Sequence, residues 1–292
     1  MLKISTEIAS AAAHVGDKKA IEMIAKAGFD AWDFSMFDMC PWDWENHCIL
    51  PSNHPTATKN YLAYARKLRR IGEDCGIVCN QSHAPFPSAP MFDYLLRAIE
   101  CTAEAGGEIC IIHPVNDHTP EQNAEMYERL LPFAKSVGVK IATENMWNWD
   151  SVRQQPSPAA CSDPASFLAH LHAVNDPSFV ACLDLGHAEM RTLGTSAPEM
   201  IRALGSHLQA LHIHDNDRFN DSHQIPFSMS MDFDAIARAL AEMNSAGYLT
   251  LEADCYLKKF HADNLAHGLS DLAASAQRLN RMIDEARRRK YP

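Results

Sequence analysis

This chain of 292 residues lacks the segments that would place it in a membrane or direct it to secretion. No apolar run approaches ~18 residues, the minimum for a helix that spans a bilayer. The first residues, Met-Leu-Lys-Ile-Ser-Thr-Glu, form a short strand pattern without the long apolar stretch of a secretion signal. We therefore expect a cytoplasmic protein with no membrane partner.

Paired cysteines are also missing. The nine cysteines are scattered, odd in number, and contain no Cys-x-x-Cys pair. Their spacing therefore indicates neither a disulfide framework nor a structural zinc cluster. Most are expected to be core thiols, because Cys79, Cys110 and Cys182 lie inside apolar strand patterns.

Positive charge is scarce, with 26 lysines and arginines against 37 aspartates and glutamates and a formal net charge of −11. A surface of this sign repels a polyanion, so nucleic acid is a disfavoured partner. The contents of 47% hydrophobic and 22% charged residues are ordinary for a folded protein and supply enough material for a core.

Eight strand patterns alternate with helical patterns along the chain. We expect the strands at about 2–7, 31–35, 77–82, 108–112, 139–144, 179–184, 209–214 and 248–252. Glycines that stop helices precede several strands, as at Gly28, Gly76 and Gly138. No Gly-x-Gly-x-x-Gly turn follows the first strand, which disfavours an open doubly wound sheet. The pattern predicts an α/β protein, a (β/α)8 TIM barrel that forms a single domain over residues 1–292.

Six of the apolar runs end in a side chain that can bind a divalent metal, at intervals of 30 to 40 residues. These side chains are His83, His113, Glu144, Asp184, His214 and Glu252. In a barrel of parallel strands the carboxyl ends meet at one mouth, so these groups should converge. Burying them together costs several kcal/mol per unpaired charge, and a divalent ion offsets that cost.

The motifs around these residues occur in a fixed order between about residues 80 and 255. They are Ser82-His83-Ala84-Pro85, Ile112-His113-Pro114, Thr143-Glu144-Asn145, Asp184-x-x-His187, His212-x-His214-Asp215-Asn216, Asp221-x-His223 and Glu252. In this order they resemble the sugar phosphate isomerase/epimerase family. That family belongs to the xylose-isomerase-like barrel superfamily, which also contains endonuclease IV.

The resemblance implies one divalent ion, Mn²⁺ first, with Zn²⁺ or Mg²⁺ as alternatives. Its ligands would be Glu144, Asp184, His214 and Glu252. Glu144 and Glu252 would also move the proton, through an enediolate, during isomerisation or epimerisation of a ketose or related polyol derivative. The residues expected to contact the sugar are His83, His113, His187, Asp221, His223 and Trp147. A homo-oligomer is expected as well.

A phosphodiesterase is the alternative from another reaction class. An endonuclease IV-like enzyme would use zinc ions to cleave abasic DNA, and each of its nine metal-ligand positions has a counterpart here. They are His83, His113, Glu144, Asp184, His187, His214, Asp221, His223 and Glu252. The acidic surface argues against DNA as the substrate. A third reading is a binding module that uses the barrel mouth without turnover.

Overall fold

The computed structural model describes residues 1–243 and 247–290, and its main feature is a sheet of eight strands. The strands, β1 to β8, are Lys3–Glu7, Ala31–Ser35, Val78–His83, Ile109–Ile111, Lys140–Glu144, Phe179–Asp184, Leu208–His212 and Tyr248–Leu251. They neighbour one another in the order β7-β6-β5-β4-β3-β2-β1-β8, with parallel pairing. This arrangement confirms the predicted (β/α)8 barrel.

The seam between β7 and β8 closes just past the end of β7. The Ile213 N–H donates to the carbonyl oxygen of Thr250 at 2.9 Å, and the Glu252 N–H donates to the carbonyl oxygen of Ile213 at 3.0 Å. Glu252 is therefore held by backbone hydrogen bonds beside the residues that follow β7.

Helices connect the strands around the outside of the barrel. The helices, α1 to α11, are Ala9–Val15, Asp17–Ala27, Tyr61–Asp74, Phe92–Ala105, Pro120–Ser136, Pro164–Val174, Leu185–Ala188, Ala197–Leu204, Phe233–Glu242, Asp254–Leu257 and Leu265–Lys290. Short 3₁₀ turns occur at Phe37–Met39, Pro55–Ala57, Ala89–Met91 and Gly205–His207.

Two antiparallel hairpins project from the loops that follow β2 and β5. One pairs Trp42–Asp43 with Cys48–Ile49, and the other pairs Trp147–Asp150 with Gln155–Pro158. The sequence patterns predicted loops here, because each hairpin strand is too short to show an alternating pattern.

Local sequence explains where the helices begin and end. The α5 helix begins with a capping box, in which the Thr119 hydroxyl accepts from the N–H of Gln122 and the Gln122 side chain accepts from the N–H of Thr119. The α2 helix ends at Gly28, whose φ of 96° lies in the left-handed region that favours glycine. Both signals are local, so the alternation of strands and helices could be predicted.

Apolar side chains fill two compartments. The larger core lies between the strands and the surrounding helices, and six of the nine cysteines are buried, as predicted for core thiols. The second lies inside the barrel and consists of Ile111, Ala142, Val180, Cys182 and Ala210. These five residues come from β4 to β7, so one half of the barrel interior is apolar.

The other half of the barrel interior is polar and hydrogen-bonded across strands. The Ser5 hydroxyl donates to Oδ1 of Asn80 at 2.6 Å, and Nδ2 of Asn80 donates to the hydroxyl of Thr250 at 3.1 Å. These bonds join β1, β3 and β8. Hydrogen bonding offsets the cost of burying such groups, so they form an ordered layer beneath the barrel mouth.

Within the described ranges, no helix combines the length and the apolar character needed to cross a lipid bilayer.

Candidate active site at the carboxyl end of the barrel

A cavity of about 460 Å³ opens at the carboxyl ends of the strands. Its wall includes strand-end residues of the predicted site and aromatic side chains from the loops above them. The principal lining residues are Glu7, Phe37, His83, Phe86, His113, Glu144, Trp147, His187, Asp221, His223, Glu252, Asp254 and Lys258. Active sites of this barrel fold occupy this face, so the cavity is the candidate active site.

Four ligand groups meet at the base of the cavity and form what we call the carboxylate cluster: Glu144, Asp184, His212 and Glu252. Their candidate ligand atoms all lie within 4.8 Å of one another. Nδ1 of His212 is 2.8 Å from Oε1 of Glu144 and 3.4 Å from Oε2 of Glu252. Three of these side chains are almost completely buried, and the fourth, Glu252, is 12% exposed.

The imidazole in this cluster differs from the one predicted. The sequence analysis assigned His214 to the set, whereas the structure brings His212 against the carboxylates. The prediction extended the seventh strand to 214, but β7 ends at His212. In the parallel register His212 is paired with Asp184, so strand stagger decides which imidazole faces the carboxylates.

A second group, the His83 cluster, consists of His83, His113 and Glu144. Nε2 of His83 lies 2.9 Å from Nε2 of His113, and these nitrogens lie 3.6 and 3.3 Å from Oε2 of Glu144. Burial, followed by the neighbouring His83, lowers the pKa of the His113 imidazole to about 4. Glu144 therefore faces this cluster with one oxygen and the carboxylate cluster with the other.

A third group, the His187 cluster, consists of His187, His214, Asp221 and His223. Oδ2 of Asp221 lies 3.0 Å from Nε2 of His187 and 3.2 Å from Nε2 of His223. Nε2 of His214 lies 3.5 Å from Oδ1 of Asp221 and 3.1 Å from Oδ1 of Asp184. His214 thus stands between this cluster and the carboxylate cluster.

Gly186 makes room for His214. A Cβ atom at this position would lie 2.0 Å from Cε1 of His214, far inside any permitted contact. The glycine in Asp184-Leu185-Gly186-His187 lets the imidazole lie directly against the start of α7. Any larger residue there would displace His214.

The pKa values of the two glutamates of the carboxylate cluster shift in opposite directions. Burial raises the pKa of the Glu144 carboxyl, but the adjacent histidines, His212 first, hold that pKa well below its ordinary range. Burial also raises the pKa of Glu252, and there it prevails over His212, so the net shift is upward. For His212 itself, burial lowers the pKa, but Cys182 and the carboxylates raise it well above its usual value. Such divergence is typical of acid–base pairs.

The donor atoms fit a metal ion. Oε2 of Glu144, Oδ2 of Asp184 and Oδ1 of Asp221 are buried and have no hydrogen-bond partner. Unpaired buried carboxylate oxygens are costly, and coordination of a cation satisfies them. Each of the three clusters contains such an atom, so each presents free coordinating capacity.

Comparison with known proteins identifies the family of this chain. A sequence profile of the xylose isomerase-like TIM barrel matches residues 21–282. The chain belongs to this family. An uncharacterized protein of Methanocaldococcus jannaschii is 24% identical over 255 residues, which cover 80% of this chain and 78% of that protein.

Solved structures of related barrels superpose along nearly the whole chain. A D-tagatose 3-epimerase-like protein covers 99% of both chains with a TM-score of 0.72 and 18% identity. The IolI protein, solved with a zinc atom, has a TM-score of 0.68 and 14% identity and covers 98% of this chain and 99% of its own. At these identities the similarity shows the fold, and it agrees with the predicted family.

In this xylose isomerase-like barrel, all the predicted sugar-contacting residues meet at the cavity. His83, His113, His187, Asp221, His223 and Trp147 all line it. The indole N–H of Trp147 donates to Oδ2 of Asp221 at 3.3 Å, which orients the ring over the His187 cluster. Asp184 and His212 of the carboxylate cluster are fully buried.

Sequence reasoning missed several residues of the cavity wall, among them Phe37, Phe86 and Glu7. Phe37 and Phe86 pack edge to face at 5.4 Å and form the apolar wall next to His83. Glu7 ends β1 and points a buried carboxyl into the same space. A carboxylate that ends the first of eight barrel strands was the available signal, because all eight strand ends meet at this mouth.

Proposed function

We propose that this protein is a metal-dependent sugar isomerase or epimerase that acts on a ketose or related polyol derivative by proton transfer through an enediolate. The main observation in support of the proposal is the carboxylate cluster at the base of the cavity in the barrel mouth. Two of its members, Glu144 and Glu252, reach the cavity wall and can therefore approach a substrate.

The residues of the carboxylate cluster would hold the ion. Three carboxylates and one imidazole suit Mn²⁺ or Zn²⁺ by ligand type. When bound, the ion supplies Lewis-acid chemistry that polarises neighbouring substrate oxygens and acidifies the C–H group between them. The zinc atom in the structure of the related IolI protein supports a metal in this family.

Glu144 and Glu252 would act as the proton carriers. The histidines around Glu144 favour its carboxylate form, whereas the raised pKa of Glu252 favours a carboxyl that can give and take a proton. A carboxylate on one side of the substrate carbon can remove a proton, and a carboxyl on another side can deliver its own proton, which exchanges with solvent. His83, His113 and His187 would orient the substrate hydroxyls.

The cavity suits an uncharged monosaccharide. Its volume of about 460 Å³ lies in the range of small-ligand sites. Phe37, Phe86 and Trp147 offer apolar faces for sugar C–H groups and help to exclude water. Lys258 is the single lysine or arginine among the described lining residues, and it forms an ion pair with Asp254. Related folds include an L-ribulose 3-epimerase with a TM-score of 0.71 and 17% identity, which supports a sugar substrate.

An endonuclease IV-like phosphodiesterase is the second candidate, and a specific observation favours it. The three clusters lie side by side, and Glu144 is shared between two of them, so the chain offers places for three ions. Against it, the cavity wall has one paired lysine where phosphate neutralisation would require several cations. Metal analysis separates the two, since one ion per chain favours the isomerase and three favour the phosphodiesterase.

Solvent-deuterium exchange tests the main proposal. The protein, supplied with Mn²⁺, is incubated in deuterium oxide with a panel of unphosphorylated ketoses, and incorporation next to the carbonyl is measured by NMR. We expect incorporation by the wild type and its loss in Glu252→Gln. Glu189→Gln, a buried glutamate outside the cavity, is the matched control and should retain exchange. Absence of exchange across the panel, or full exchange by Glu252→Gln, would contradict the proposal.

A further inference from the structure

A buried carboxylate on β2 lies directly behind the candidate metal ligand His212. Oδ2 of Asp33 is 3.3 Å from Nε2 of His212, and both side chains are completely buried. The opposite ring nitrogen, Nδ1, is the one that faces Glu144 and Glu252. The imidazole therefore bridges a carboxylate behind it and the carboxylate cluster in front.

We propose that Asp33 is a positioning residue that fixes the tautomer and orientation of His212, so that Nδ1 presents its lone pair to the divalent ion. This inference rests on the proposed metal-dependent function. In the metal-free protein both ring nitrogens of His212 face a carboxylate, Nε2 toward Asp33 at 3.3 Å and Nδ1 toward Glu144 at 2.8 Å. A bound ion would take the place of a proton on Nδ1, and because an ionised carboxylate only accepts hydrogen bonds, Asp33 would hold the remaining ring proton on Nε2.

A hydrogen bond from Gln81 holds the Asp33 carboxylate in its orientation toward His212. Nε2 of Gln81 donates to the same oxygen, Oδ2 of Asp33, at 2.8 Å and also to the carbonyl oxygen of Leu211 at 3.3 Å. Oε1 of Gln81 accepts from the hydroxyl of Thr250 at 3.3 Å and from Nδ2 of Asn80 at 3.2 Å. Because its oxygen is occupied by donors, the Gln81 amide turns its N–H toward Asp33, and Oδ2 of Asp33 accepts from both Gln81 and His212.

A purely structural role explains Asp33 less well. Oδ1 of Asp33 is buried and has no hydrogen-bond partner, which makes the carboxylate an expensive residue for the barrel interior. The surrounding layer already contains neutral groups, Ser5, Asn80 and Thr250, that bond across strands without charge. The hydrogen bond that Oδ2 of Asp33 accepts from Nε2 of His212 gives a reason for a carboxylate at this position. Groups that orient metal-bound histidines in this way raise ligand basicity as well.

The substitution Asp33→Asn keeps the shape of the side chain and an oxygen that can accept from Gln81, so it tests the negative charge that Asp33 places behind His212. Zn²⁺ affinity of the metal-free protein is measured by competition with a chromogenic chelator, with thermal unfolding as a check of folding. We expect the affinity for Zn²⁺ to fall about 10- to 100-fold. The weakened site should be the same one that loses its ion in His212→Gln. Ser5→Ala, which removes a hydrogen bond of the same layer but forms none with Asp33, Gln81 or His212, should bind Zn²⁺ like the wild type.

Equal Zn²⁺ affinity in folded Asp33→Asn and wild type overturns the role of Asp33 and leaves the proposed function standing. Absence of Zn²⁺ binding by the wild type instead overturns the proposed function and this inference together. If Asp33→Asn does not fold, ¹⁵N NMR of zinc-loaded wild type decides, with the His212 signals assigned by their loss in His212→Gln. A proton on Nε2 supports the inference, and a proton on Nδ1 refutes it.

Discussion

Glu7 offers a direct test of the electrostatics at the barrel mouth. Its carboxyl is 2% exposed and accepts hydrogen bonds from the hydroxyl and the N–H of Ser10. Burial raises its pKa from 4.5 to about 7, the Ser10 bonds oppose the shift, and Glu252 and Asp254 add to it. The folded chain therefore binds a proton at Glu7 more tightly than the unfolded chain does.

The sign of the effect follows from that difference. Where the folded state holds more protons than the unfolded state, the free energy of unfolding falls as pH rises, here between about pH 4.5 and 7. Glu7→Gln keeps the shape without the charge and so removes this penalty. Each pKa difference of one corresponds to 1.36 kcal/mol, which gives about 3 kcal/mol above pH 8 and about 1 kcal/mol near pH 5.5.

The assay is urea unfolding of metal-free wild type and Glu7→Gln, followed by circular dichroism at about pH 5.5 and 8.5. We expect the stability of the variant relative to wild type to increase by about 2 kcal/mol across this interval. The slope across pH is independent of any constant packing effect of the amide. Glu45→Gln, at an exposed carboxylate, controls for the change in net charge. A relative stability that stays constant or declines with pH would refute the reasoning.

Two further predictions concern the metal. His212→Gln should lose the ion of the carboxylate cluster while His214→Gln retains it, as measured by metal analysis after dialysis; the reverse result would restore the original assignment of His214. In addition, burial lowers the pKa of His212, but the surrounding groups, Cys182 first, raise it well above its usual value, which favours a protonated ring in the metal-free protein. Zn²⁺ binding should therefore release a proton and tighten as pH rises; calorimetry in buffers of different ionisation enthalpy measures the number released, and zero release would contradict the shift.

The strands were the most predictable part of the fold. Every one of the eight expected segments contains a barrel strand, and most boundaries agree within one or two residues. A strand buried on both sides must be a short apolar run, and a helix outside it must end before the next strand begins. Both requirements are local. The two hairpins above the mouth were missed, since their short strands are stabilised by the loops in which they lie.

Most residues of the candidate site were predicted, but some of the contacts between them were not. The prediction that His83, His113, Glu144 and Glu252 would converge is confirmed by the geometry at the mouth. The choice between His212 and His214 could not be made from spacing, because side chains two residues apart on a strand face the same side. Asp33 was overlooked because its partners, Gln81 and His212, lie far away in the chain, whereas Glu7 offered a local signal that was not used, its place at the end of the first strand.

The sequence alone determined the alternation of strands and helices, the barrel it implies and most of the candidate metal ligands at the strand ends, because these depend on periodicity and run length within a few tens of residues. Only the tertiary structure decided which imidazole meets the carboxylates, which buried carboxylate stands behind it and how the ligands divide into three clusters. Those outcomes depend on the stagger of parallel strands around the barrel, where a shift of two residues along β7 would replace His212 by His214 at the same point in space.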